Sequence, residues 1–136
     1  MFYVHENKEH LVHSSNYLEI RVNAGEKLLL SNWQGWLDSA KGHSGCMKIL
    51  DLVNEYKITK ILNDNSKVTG HSGDTKWMGK VWIPGLREAG VQYFAWVYSY
   101  EFFTQLEIDN TVDNSSGIAM RTFFLPEDAR QWLQDS

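Results

Sequence analysis

The 136-residue sequence predicts a single α/β domain with a mostly parallel sheet that carries helices. Apolar–polar alternation and a buried apolar run indicate strands, and apolar residues at helical spacing lie between them. Glycine, proline and asparagine separate these segments. The predicted order over residues 1–136 is β-β-α-β-α-β-α-β-α. A chain of this length buries roughly two thirds of its unfolded surface, so its core requires neither metal nor disulfide.

The first predicted elements form a β-hairpin. Residues 17–22 alternate between apolar and polar side chains, residues 23–26 favour a turn, and residues 27–31 supply the second strand. Asp38 or Ser39 is then expected to cap the first helix, because a short polar side chain accepts a hydrogen bond from the free amides there.

This first helix is expected to bury one apolar stripe. The stripe consists of Met47, Leu50 and Val53. Gly42 and Gly45 weaken the first turns, since glycine has a low helix propensity. A short strand is predicted at residues 60–63. The polar loop expected at residues 64–71 lies past its carboxyl end, where parallel sheets commonly bind ligands.

Ser72 or Asp74 is the expected N-cap of a second helix. Its apolar stripe consists of Trp77, Met78, Val81 and Trp82. Pro84 is expected to kink or interrupt this helix, and Gly90 is expected to end the helical region. The apolar residues 91–98 then predict a buried strand.

The last part of the chain completes the alternation. A helix is predicted at residues 101–110, a turn-rich loop at 110–117 and a strand at 120–124. Pro126 opens a terminal helix, with acidic residues in its first turn. Proline fits the first helical position, and acidic side chains favour the positive end of the helix dipole.

Four short motifs in this order resemble the STAS-like domains, the fold of bacterial anti-sigma factor antagonists. The motifs are Trp33-Gln34-Gly35, Ile61-Leu62-Asn63-Asp64-Asn65, Ala89-Gly90-Val91 and the closing segment 127–133. The resemblance spans nearly the whole chain. More specifically, the sequence looks like the small stand-alone bacterial proteins grouped as STAS or CRAL-TRIO-like. It implies a β-α superhelix, a regulatory role in bacterial signal transduction and a protein partner.

The sequence departs from the signalling members of that family at their phosphorylatable serine. In those antagonists the serine follows the third strand, at the start of the second helix, in an Asp-Ser-Ser-Gly-like motif. Ser66 is near this place within Asn63-Asp64-Asn65-Ser66-Lys67-Val68, but its neighbours differ. Residues 113–117 match better but lie two elements later and favour a turn. Ser66 and Ser72 are the phosphorylation candidates.

Composition excludes several functional classes. The 13 basic and 17 acidic residues give a formal charge of −4, and the dispersed basic residues do not predict nucleic-acid binding. A single cysteine needs no oxidising compartment, so we expect a cytoplasmic protein. The longest apolar run, residues 93–98, is too short for a membrane span, and the N-terminus does not resemble a secretion signal. Phosphate-loop, dinucleotide and zinc motifs are absent, so neither a cofactor nor catalysis is predicted.

Eight residues are candidates for ligand or partner binding. They are Trp33, Trp36, Asn63, Asp64, Asn65, Lys67, Trp77 and Trp82. The polar side chains either form a pocket or cap and turn the backbone. The tryptophans either stack on a ligand, form a dimer face or pack in the core.

The histidines and the cysteine favour structural roles. His5, His10 and His13 cluster near the N-terminus but have no supporting cysteine or paired histidine, so no metal site is predicted. His71 is expected in a loop. Cys46, among apolar helix residues, is expected to be buried.

These observations predict a non-catalytic STAS-like module. It is expected to bind a protein partner or a small apolar ligand through the strand-end loops and the second helix. Two alternatives remain open: a phospho-regulated anti-sigma factor antagonist, and a small enzyme that uses Asp64 or His71. Exposed tryptophans are also compatible with a homodimer.

Overall fold

A six-stranded sheet forms the centre of the computed structural model, which describes residues 8–72, 75–99 and 117–136. The strands are β1 His10–Ser14, β2 Leu18–Asn23, β3 Leu28–Leu37, β4 Lys60–His71, β5 Tyr93–Val97 and β6 Ala119–Phe123. Their spatial order equals their chain order. Strands β1 to β3 pair antiparallel, and β3 to β6 pair parallel. The mixed α/β class is confirmed.

Helices cover both faces of this sheet. They are α1 Ser39–Tyr56, α2 Thr75–Trp77, a π-helical turn Met78–Trp82, α3 Ile83–Glu88 and α4 Pro126–Gln134. The larger apolar cluster lies on the face with α1 and residues 75–88. The smaller cluster lies beneath α4 on the other face. The helix predicted at residues 101–110 lies outside the described residues.

The predicted hairpin is confirmed as β2 and β3. At its turn the Asn23 Oδ1 accepts a 3.1 Å hydrogen bond from the Glu26 amide, and Lys27 has a left-handed φ of 55°. Strand β1, which extends the hairpin at the sheet edge, was not predicted. Its sequence His-Leu-Val-His-Ser has little apolar alternation, and a bulge between Leu11 and His13 shifts its register.

Strand β4 corrects the prediction of a short strand followed by a polar loop. It runs without interruption from Lys60 to His71 because β3 pairs with it along its whole length. The register of the pair shifts twice, between Asn32 and Gln34 and between Gly35 and Trp36. Strand β5 pairs with β4 only as far as Asp64. Residues 34–37 and 67–71 continue the pair past the last partner of β5 and are called the β3–β4 extension; Leu37 and Val68 of this extension still belong to the core, and the Ser99 hydroxyl donates to the Val68 carbonyl.

Helix α1 begins where predicted but buries a different stripe. The Asp38 Oδ1 accepts a 2.8 Å hydrogen bond from the Lys41 amide. The buried residues of the helix are Gly45, Cys46, Ile49, Leu52 and Val53. Met47 is 37% exposed, so the predicted stripe was wrong at this position. Gly45 faces the sheet because its lack of a side chain lets the helix approach the Trp33 indole closely.

The second helical segment, residues 75–88, continues through Pro84. The Ile83 amide donates to the Met78 carbonyl five residues back, which defines the π-helical turn directly before the proline. A widened turn is a known way to place proline inside a helical segment. Gly90, at φ 111°, ends the helical region as predicted, and the Val91 amide donates to the Leu86 carbonyl at 3.0 Å.

The close approach at Gly45 can be tested with a matched pair of glycines in α1. A Cβ at Gly45 would lie 2.6 Å from Trp33 Cζ3 and 2.9 Å from Leu18 Cδ2, whereas a Cβ at Gly42 meets nothing within 4 Å. We expect Gly45→Ala to lower the free energy of unfolding by about 1–3 kcal/mol. Gly42→Ala should raise it by up to about 1 kcal/mol. Urea titration of both variants measures this difference, and equal effects would contradict the packing.

Candidate functional site

The buried side chain of Asn63 organises a polar cluster in the middle of the sheet. Its Oδ1 accepts hydrogen bonds from Ser31 Oγ at 2.7 Å and from Trp33 Nε1 at 2.9 Å. Its Nδ2 donates to Asn65 Oδ1 at 3.3 Å. Asn63 is only 3% exposed. This cluster joins three predicted site residues, of which Trp33 and Asn63 are buried and Asn65 is half-buried, and its hydrogen bonds hold β3 against β4.

The parallel pairing of β3 and β4 explains why these side chains meet. Ser31 and Asn63 are register partners, and in-register residues of neighbouring strands share a face of the sheet. Trp33, two residues after Ser31, lies on that same face among the residues of the larger core cluster. The amide of Asn63 thus satisfies two donors that α1 removes from water.

Asp64 lies one residue further along β4, where strand alternation places its side chain on the opposite face. Its Oδ1 accepts a 2.8 Å hydrogen bond from the Ser66 amide, so this carboxylate shapes the local backbone. His71 is seven residues further along the same strand, which corresponds to roughly 20 Å. Asp64 and His71 therefore lie in one strand, and the prediction that they share a loop was wrong.

The tryptophans predicted to bind a ligand divide by exposure. Trp82 is buried, donates through Nε1 to the Cys46 carbonyl at 2.8 Å and contacts Phe94 edge-on at 5.9 Å between ring centroids. Trp82 therefore has the core position that the sequence left open beside a ligand or dimer role. Trp77 is half-buried, with its ring centroid 4.3 Å from that of His43. Trp36, in contrast, is 53% exposed.

Trp36 lies on the β3–β4 extension beside a candidate serine. Its register partner is Gly70, and Leu37 pairs with His71. The Ser72 amide then donates to the Leu37 carbonyl at 3.0 Å, so Ser72 continues the extension and is exposed. Lys67, at the start of the extension, is also exposed. The structure thus brings Trp36 and Ser72 together, a proximity that the predicted loop at 64–71 did not reveal.

Ser66 is not at the start of a helix. It lies inside β4 and is half-buried, and its amide is bound to Asp64. Helix α2 begins only at Thr75, after the end of the strand. Ser72 is therefore the candidate serine that precedes the second helical segment.

The histidine cluster near the N-terminus is only partly described, because His5 lies outside the described residues. His10 and His13 are both in β1. Partial burial, together with the positive charge of Lys48 on α1, lowers the pKa of His13. In residues 8–72, 75–99 and 117–136, no group of three histidine, cysteine, aspartate or glutamate side chains is arranged to hold a metal ion.

Cys46 is buried in α1, as predicted. Burial raises the pKa of its thiol, because the low-dielectric core disfavours the thiolate. The helices of the described part of the chain are each too short or too polar to cross a membrane.

Comparison with solved structures identifies the fold. The anti-sigma factor antagonist SpoIIAA, in its unphosphorylated form, superposes with a TM-score of 0.57 at 13% identity over 95% of this chain and all of its own. The chain has a STAS-like, SpoIIAA-type fold. The sequence matches no protein-family model and no curated protein.

Two further structures share this STAS-like fold. SiaC of Pseudomonas aeruginosa has a TM-score of 0.53 at 13% identity, over 85% of this chain and 99% of its own. A DUF3478-family protein with a SpoIIAA-like fold from Shewanella loihica has a TM-score of 0.54 at 16% identity, over 93% of this chain and 96% of its own. These likenesses confirm the fold expected from the sequence motifs.

The cluster around Asn63 generates a stability prediction. Asn63→Leu removes the acceptor of two buried donors, Ser31 Oγ and Trp33 Nε1, and keeps the branched side-chain skeleton. We expect the free energy of unfolding to fall by about 2–4 kcal/mol, since each orphaned donor costs about 1–3 kcal/mol. Asn54→Leu, at an exposed position of α1, is the matched control and should change it by less than about 1 kcal/mol. A loss at Asn63 no larger than at Asn54 would contradict the role of the cluster.

Proposed function

We propose that the chain is a non-catalytic regulatory module that binds a protein partner at the β3–β4 extension. The surface consists of Trp36, Lys67 and Ser72, and it continues toward the start of residues 75–88. The observation that carries this proposal is the 53% exposure of a tryptophan on the part of the β3–β4 pair that lies past the last partner of β5. Tryptophans at such positions are enriched where proteins bind other proteins.

The fold supports a regulatory function. SpoIIAA is an anti-sigma factor antagonist whose structure was determined in an unphosphorylated form. By analogy, this chain acts by presenting a surface to another protein. The analogy rests on fold alone, so the surface described above has to support it independently.

A protein partner fits the described surface better than a small apolar ligand does. One pocket among the described residues, at the amino ends of the parallel strands, is lined by charged side chains, among them Glu9, Glu26, Lys60 and Arg130. Glu9 and Arg130 form an ion pair at 2.8 Å across it, and Lys60 Nζ donates to the Leu133 carbonyl at 2.7 Å. An apolar ligand gains little in such surroundings, whereas Trp36 offers a protein an apolar anchor.

Ser72 is the better candidate for regulation by phosphorylation. A phosphate on Ser66 would lie near the Asp64 carboxylate, whose Oδ1 is 2.8 Å from the Ser66 amide, and like charges repel. Ser72 is exposed at the end of the extension, whereas Ser66 is half-buried within β4. A phosphate at Ser72 would therefore place about two negative charges beside Trp36 and change the partner surface.

Partner binding can be tested with two exposed apolar side chains. Trp36→Ala removes the proposed anchor. Leu11→Ala is the control, because it removes a side chain that is 48% exposed on β1 at the sheet edge. We expect a protein that co-purifies with the unmodified chain from its host to be lost at least about tenfold with Trp36→Ala, because truncating a central aromatic anchor costs about 2 kcal/mol or more. It should be retained with Leu11→Ala. Equal recovery with both variants contradicts the proposed surface.

Regulation by phosphorylation makes a separate prediction. Peptide mass spectrometry of the chain isolated from its host should find phosphate on Ser72 and none on Ser66. Ser72→Glu should weaken capture of the same partner, and Ser72→Ala should preserve it. Phosphate on Ser66 alone, or a chain that carries none under all growth conditions, would overturn the assignment of Ser72.

A further inference from the structure

A row of side chains crosses four strands on the face that α1 covers. Ser31 of β3 pairs with Asn63 of β4, Asn63 with Trp96 of β5, and Trp96 with Thr122 of β6. Residues in register on parallel strands share a face, and neighbouring strands lie about 4.8 Å apart. Hydrogen-bonding side chains therefore lie next to one another across a face that is otherwise apolar.

The indole of Trp96 is deeply buried in this row. The residue is 3% exposed, and its ring centroid is 5.4 Å from that of Phe94. Its Nε1–H has no acceptor in the part of the chain that the structure describes. The other two deeply buried indoles both donate, Trp33 to Asn63 Oδ1 and Trp82 to the Cys46 carbonyl.

An unpaired buried N–H is costly and rare, because folding removes it from water without giving it an acceptor. We propose that Trp96 Nε1 forms, with Asn63 and Thr122, a binding site for one oxygen atom from outside the chain. The oxygen belongs either to an internal water or to a small molecule with a carbonyl, carboxylate or hydroxyl group. This inference does not depend on the proposed function.

The neighbouring groups suit an oxygen that both accepts and donates. Asn63 Nδ2 has two N–H groups and uses one of them on Asn65 Oδ1. Thr122 is half-buried at the register position on the other side of Trp96, and its hydroxyl both donates and accepts. An internal water typically makes about three hydrogen bonds to such groups. Trp96 Nε1, Asn63 Nδ2 and the Thr122 hydroxyl are three such groups at neighbouring register positions.

The test replaces only the N–H of Trp96. Incorporation of benzothienylalanine at position 96 exchanges the indole N–H for sulfur at nearly constant shape. If an oxygen accepts from Nε1, the unfolding equilibrium constant in urea should rise about five-fold or more. If the N–H is unpaired, the exchange removes a buried orphan donor and the constant falls or stays the same, which would overturn the proposal. The same exchange at Trp82, whose acceptor is known, calibrates the effect.

Two measurements on the unmodified chain then identify the source of the oxygen. A nuclear Overhauser contact between the Trp96 indole proton and a long-lived water shows an internal water. A retained mass in native mass spectrometry that disappears with the exchange at position 96 shows a small molecule. Either result supports the site, and the absence of both overturns it.

Discussion

The parallel pairing of β3 with β4 is the interaction on which the rest of the structure depends. These are the two longest strands, and every other strand is added on one side or the other of the pair. The Asn63 amide fixes the pair from within, because it binds Ser31 and Trp33 of the neighbouring strand. A buried amide with several partners favours one register, since a slip would orphan both donors.

The same pairing links packing to function. Below Asp64 the pair is enclosed by β5 and covered by helices on both faces, with Gly45 allowing α1 to approach Trp33. Beyond Asp64 the two strands continue past the last partner of β5 and present Trp36 at the carboxyl edge. The buried part of the pair thus supplies a rigid base for the exposed part, which is the arrangement that a binding surface requires.

Sequence patterns predicted the elements whose signals are local. The hairpin turn, the Asp38 cap, the Gly90 stop and the terminal helix after Pro126 depend on nearby residues and are confirmed. The length of β4 depends on pairing with β3, which no local pattern encodes, so residues 64–71 were predicted as a loop. Because a loop was expected there, Asn63 was named as a site residue although its side chain is buried. The pairing that places Ser72 next to Leu37, one residue after Trp36, could not be predicted for the same reason.

The β3–β4 extension is the surface at which we propose that a protein partner binds the chain. The most direct test is photocrosslinking in the host, with a photoreactive amino acid placed either at position 36 or, for comparison, at position 11. If the partner binds there, the photoreactive residue at position 36 should give a discrete adduct with one other protein, and the residue at position 11 should give none. Adducts from position 11 alone, or equally from both positions, would contradict it.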